Sequence, residues 1–202
     1  MIGIGLSIST LGVTGGIKRE NLLLQSQTFG TTWNKSPVGI GITSDTTVAP
    51  DGTTTADTIT DTVDGANTQH FVSQTNVGGS PANGASIVLS VYAKSGTNSV
   101  IGICPNGAAT GYTFDLAGGT VGAQVNSAPL DKGIISVGSG WYRCWVKYAY
   151  NSGSPEVRIY MATSTASVLY TGAGTGTVIL WGAQANLDVL QPYTATTSTI
   201  VK

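Results

Sequence analysis

Charge is what this sequence has least of. Only 9% of its 202 residues are charged, with 9 Lys and Arg against 10 Asp and Glu, and the formal net charge is -1. No basic stripe exists to neutralise phosphates, so no nucleic-acid partner is expected. Solubility must come from hydroxyls, amides and glycines, a composition common in proteins that assemble or meet carbohydrate. Reactive side chains are equally scarce: one histidine, His70, and two cysteines, Cys104 and Cys144. Neither cysteine has metal-ligand spacing around it, and each lies in a strand-like run, so reduced core thiols are expected ahead of a single disulfide. His70 sits in an alternating segment and is expected to be packed or solvated. No Gly-x-Ser-x-Gly elbow presents a nucleophile. The acids fall mostly in turn-rich stretches, with no readable pair held across a cleft as a glycosidase requires. The expectation is a protein that is not an enzyme.

Helical periodicity and long apolar runs are missing as well. No stretch repeats apolar residues at i, i+3, i+4 and i+7 over three turns, and no segment approaches the roughly twenty apolar residues of a membrane span. The opening "MIGIGLSISTLGVTGGIKRE" carries no charge before Lys18, yet it lacks the basic start and compact apolar centre of a secretory signal. Ile2, Ile4, Leu6 and Ile8 alternate instead as an extended, β-competent arm ending at Gly15-Gly16. Two readings stand: the first strand of the domain, or an anchor that pairs with another subunit or another protein.

What the chain does have is strands. Residues 56–63, 68–75, 86–94, 99–104, 112–116, 133–138, 141–150, 156–163 and 177–184 are short β-rich segments separated by turn-forming residues. "PDG" at Pro50 to Gly52 is a turn, "LAGGT" at Leu116 to Thr120 a hairpin, and "NSGSPE" at Asn151 to Glu156 a connection between two long strands. The expected fold is all-β, an antiparallel β-sandwich of jelly-roll type over 21–196. It would be preceded by the arm at 1–20 and followed by a tail at 197–202 that crosses the surface.

One stretch stands out, "GSGWYRCWVKYAY" from Gly138 to Tyr150. As a strand it sends Tyr142, Cys144, Val146 and Tyr148 to one face and Trp141, Arg143, Trp145 and Lys147 to the other. The first set is ordinary core. The second needs a cover: another chain, a sugar, or a loop. Trp141, Arg143, Trp145 and Tyr92 are therefore candidate ligand or subunit contacts, since sugar rings stack their C–H faces on Trp and Tyr.

The ordered segments "NLLLQSQTFGTTWNKS", "APDGTTTADTIT", "VLSVYAKSG", "TFDLAGGTVG", "VGSGWYRCWV" and "ILWGAQANLDVLQPYTAT" span about residues 21 to 196. Together they resemble a domain widespread in tailed-phage virion proteins of the head spike, head fibre, tail fibre and decoration type, similar in turn to jelly-roll carbohydrate-binding modules. The resemblance implies a structural virion protein, a homo-oligomer and most simply a trimer, mounted through its arm on capsid, neck or tail proteins. Its alternative is a glycan-binding host-recognition module that meets a host surface glycan. It also implies that Trp33, Trp141 and Trp181, which fall inside shared motifs, are packing residues. Trp145 departs from the pattern, where a small or polar residue is expected, and is the best single contact residue. No cofactor is implied beyond a structural calcium at Asp51 and Asp57, against which stands an Asx-type turn with a solvated Asp.

Overall fold

β-Branched residues, threonines and glycines favour strands joined by tight turns, and that is how the chain is built. The computed structural model describes residues 19–36 and 39–202, so the proposed anchor residues Ile2, Ile4, Leu6 and Ile8 lie outside the described residues. Within them the strands are β1 (Asn34–Lys35), β2 (Gly41–Thr47), β3 (Ala56–Thr60), β4 (Asn67–Gln74), β5 (Ser86–Ser95), β6 (Val100–Cys104) and β7 (Tyr112–Asp115). They continue with β8 (Thr120–Gln124), β9 (Asp131–Gly138), β10 (Trp141–Ala149), β11 (Val157–Ala162), β12 (Leu169–Thr171) and β13 (Thr177–Leu187). All nine expected segments are strands, and β8 closes the hairpin announced by "LAGGT". β2, with the sequence GITSDTT, is mostly exposed and offers no apolar alternation to read.

Two antiparallel sheets face each other. One runs β1-β4-β11-β6-β7-β8, with β12 also on β4, and the other runs β2-β3-β13-β5-β10-β9. The chain crosses between them repeatedly, which gives the sandwich its long-range character. The core between the sheets contains Val72, Ile101, Ile103, Phe114 and Ile159 from the first and Ile87, Leu89, Val91, Cys144 and Val146 from the second. Alternation along β5 and β10 is thus as expected, with Tyr148 inside and Tyr142 packed against the core from a half-buried position.

Both cysteines are free and buried. Cys144 belongs to the inter-sheet core, whereas Cys104 packs with Phe71, Tyr160 and Val168 in a separate cluster. Burial pushes both thiols up, that of Cys104 to about 12, so neither is a ready thiolate.

The tail is more than a surface strand-end. Asn21 and Val201 exchange backbone hydrogen bonds at 2.9 and 3.0 Å, and Thr196 is buried with its hydroxyl donated to the Leu23 carbonyl at 2.7 Å. Residues from 191 onward therefore belong to the body of the domain, as does Glu20, which is buried and accepts the Leu187 N–H at 2.6 Å.

Candidate functional site

Register builds the aromatic face. Arg143 of β10 stands opposite Tyr92 of β5, and Tyr92 stands opposite Trp181 of β13. β13 then changes phase. Val178 and Leu180 point into the core, but the register shifts between Trp181 and Gln184, and beyond it Ala183 and Ala185 point in. Gly182 absorbs the shift with φ of +62°, a value that suits glycine, and it leaves Trp181 and Gln184 on the same outer face.

That outer face is not open. Tyr193 of the C-terminal segment lays its ring 4.5 Å from Trp181 and 5.8 Å from Tyr92, and its hydroxyl bonds Ser26 Oγ at 2.8 Å. Gln184 is the clasp. It is fully buried, its Nδ-equivalent Nε2 donates to the carbonyls of Glu20 at 2.8 Å and Pro192 at 3.2 Å, and its Oε1 accepts from Arg143 Nη2 at 3.2 Å. Asn21 does the same one step away, donating Nδ2 to the carbonyls of Ala183 and Thr194 at 3.0 and 2.9 Å while Oδ1 accepts the N–H groups of Leu23 and Ala185. Both ends of the domain are thereby stapled across one sheet.

This corrects the expectation of an exposed platform at Trp141 and Arg143. Trp141 is 2% exposed, packs with Ala49, Ala56 and Trp181, and donates its indole N–H to the Val48 carbonyl at 3.1 Å. Arg143 is 7% exposed and donates to the Gln191 carbonyl at 2.8 Å and to Ser90 Oγ at 3.1 Å, with its guanidinium 5.2 Å from the Tyr92 ring centroid. Burial pulls the Arg143 pKa below its ordinary value. The physical reason is a cover that strand alternation alone leaves unspecified: the β2–β3 connection closes over Trp141, and the segment at 191–193 closes over Arg143. Of the four candidate contacts, Tyr92 is half-buried inside this packing and Trp145 is half-buried at its margin. Trp33 and Trp181 are packing residues, as the resemblance implies.

Trp145 lies over Gly133 of β9, where an added Cβ would come within 2.7 Å of its indole. β9 is the outermost strand of its sheet, and Ile135 and Val137 on it are 47% and 42% exposed. Next to its end is an open cleft of about 570 Å³, lined by the β2–β3 connection from Thr46 to Gly52, by Lys94, and by the turn at Val137 to Trp141.

The two carboxylates expected to share a calcium are separately engaged. Asp51 closes an Asx-type turn, accepting the Thr53 N–H at 2.9 Å and its hydroxyl at 2.7 Å. Asp57 is fully buried, and its two oxygens accept the Phe29 and Asp45 N–H groups at 2.8 and 3.1 Å. Desolvation raises its pKa against the pull of those bonds. Among the described residues no three His, Cys, Asp or Glu side chains are grouped to hold a metal ion. The turn reading fits Asp51, and Asp57 serves as an internal tie. His70 is fully buried, its Nε2 3.1 Å from Asp64 Oδ2 and its ring 4.3 Å from that of Tyr170.

Sequence reasoning missed Gln184, Asn21, Gln191 and Tyr193. For Asn21 and Gln184 the signal was an amide embedded in an apolar run, "NLLL" and "GAQAN", since an amide placed among buried strands must find partners; Gln191 and Tyr193 carried no such signal.

The fold defines the class of protein, an antiparallel β-sandwich, and comparison with known proteins adds a distant likeness. No protein-family model matches the chain, and no curated protein matches it. Among solved structures, the enzymatically active domain of bacteriophage CBA120 tailspike protein 4 aligns over 83% of this chain at 14% identity with a TM-score of 0.45. The chain spans about a fifth of that protein, 21% of its length. The CBM22-1 xylan-binding domain of Paenibacillus barcinonensis Xyn10C aligns over 85% of this chain and 97% of its own length, at 17% identity and a TM-score of 0.43. The tandem CBM22-1-CBM22-2 domain of the same protein covers 89% of this chain and 48% of itself, at 16% identity and a TM-score of 0.44.

Proposed function

We propose that this chain is a non-enzymatic structural subunit of a tailed-phage virion, an oligomeric sandwich serving as a spike, fibre or decoration and attached through its N-terminal arm. The ordered segments between Asn21 and Thr196 support the virion assignment. One observation carries the assembly reading: the aromatic face is closed by the segments at 20–26 and 191–196, while the β9 edge keeps Ile135 and Val137 exposed beside half-buried Trp145. An exposed edge strand with apolar side chains is a natural pairing surface. Little charge holds copies apart, and the resemblance to virion appendage domains makes a threefold assembly the expected arrangement. Light scattering tests it. Three times 20.6 kDa is the expected mass, and a 20.6 kDa monomer at micromolar concentration overturns it. Removing residues 1 to 18 should leave the domain folded and abolish particle attachment; normal decoration by the truncated protein overturns the anchor.

A second reading, a glycan-binding host-recognition module, is favoured by the cleft beside Lys94. Free protein should then block phage adsorption.

A further inference from the structure

We infer that the cleft between the β2–β3 connection and the β9–β10 turn is a binding site for a carboxylate-bearing sugar, a uronic or sialic acid residue. The inference rests on the glycan-binding reading and is independent of the assembly reading. Its volume, about 570 Å³, lies inside the roughly 300–1,000 Å³ of small-molecule sites. Its floor is fixed, because Trp141 is buried and tied to Val48 through its indole N–H. Its far wall is fixed by the turn at Gly138, Ser139 and Gly140, with φ of +91°, +53° and +78°, against which the Lys94 stem packs.

The lining has a definite chemistry. Among the described residues Lys94 is its one charged side chain, and no anion there pairs with it. Thr47 and Ser139 also line the cleft and bring hydroxyl groups to it. Val48, 56% exposed, and Val137, 42% exposed, supply apolar rims. A pyranose presents this complement, with a C–H face for the valines and a hydroxyl edge for Thr47 and Ser139. An ammonium with no ion-pair partner among the described residues selects a sugar that carries negative charge.

The test is titration of the full-length protein, by calorimetry or amide-shift NMR, with D-galacturonic, D-glucuronic and N-acetylneuraminic acids. D-galactose serves as the neutral control and acetate as the bare anion. At least one acidic sugar is expected to bind about tenfold or more tightly than both controls. Lys94→Met is expected to remove that preference at unchanged melting temperature. Val48→Glu should do the same through charge repulsion, and because Val48 is exposed it keeps the test open if Lys94→Met disturbs the fold. Equal binding of galactose, equal binding of acetate, retention of the preference in both variants, or no binding of any acid at about 10 mM overturns the inference. None of these outcomes bears on the mass measured by light scattering, so failure here leaves the assembly reading standing.

Discussion

The guanidinium of Arg143 lies over the ring of Tyr92, 5.2 Å from its centroid, and donates at 2.8 Å to the Gln191 carbonyl of the segment that seals both in. Gln191, Ser90 and Gln184, to which it donates, are all neutral, so the cation's role is to hold the C-terminal segment in place. Arg143→Met keeps the stem and removes the donors. It should cost about 1.5–3 kcal/mol, the range for hydrogen bonds to a charged group. Proteolysis should then begin in residues 190–202 before the rest of the domain opens. Wild-type resistance in that segment would show that the clasp does not depend on Arg143.

Trp145 and Gly133 form a second coupled pair. Gly133→Ala drives a methyl into the indole and should cost about 1–3 kcal/mol through overpacking. Trp145→Ala, at a half-buried site, should cost less than the roughly 3–5 kcal/mol of a fully buried Trp and should weaken association. Combining them should cost less than the sum, because the second change removes what the first collides with. Urea melts of the two single variants and the double variant check this.

Two acids should respond to pH with opposite signs. Burial raises the Asp57 pKa in the folded state, so its contribution favours folding below the unfolded value, about 3.9, and is lost as pH rises through the folded value. The Thr68 hydroxyl is the main cause holding Asp64 below the usual carboxylate range, helped by the Ala66 and Gly172 N–H groups. Its contribution is present above the unfolded value and is lost as pH falls through the lower folded one. Melting temperature against pH should therefore change slope above about pH 4 in Asp57→Asn and below it in Asp64→Asn. The same slope change in both variants would contradict the assignment.

The thiols should be silent until the domain unfolds. Cys104 and Cys144 are both 0% exposed, so a thiol reagent should label neither in the native protein and both in denaturant. Reductant should leave the melting temperature unchanged, and a reductant-dependent shift would mean that a disulfide forms after all.

Local pattern was enough to reveal the sandwich. A strand buried on one face must alternate, so Ile87, Leu89 and Val91, or Cys144, Val146 and Tyr148, declare their common face without any knowledge of partners. β2 was illegible for the same reason, since an exposed edge strand places no constraint on its side chains. Alternation also predicted that Trp141, Arg143 and Trp145 share the opposite face.

Only the tertiary structure decided what covers that face. Gln184 reaches Glu20 across 164 residues, Asn21 reaches Thr194 across 173, and Tyr193 meets Ser26 across 167. Such contacts follow from where the sheet brings the two ends of the domain, and no local period encodes them. The Gly182 shift belongs with them: a single left-handed residue inverts the facing of everything after it in β13, turning Gln184 outward to become the clasp. The sequence determined which side chains needed burial on each strand, because that depends on a two-residue repeat; the tertiary fold determined that the segments at 20–26 and 191–196 would bury the aromatic face, because that depends on strand order and on the closing of a long loop.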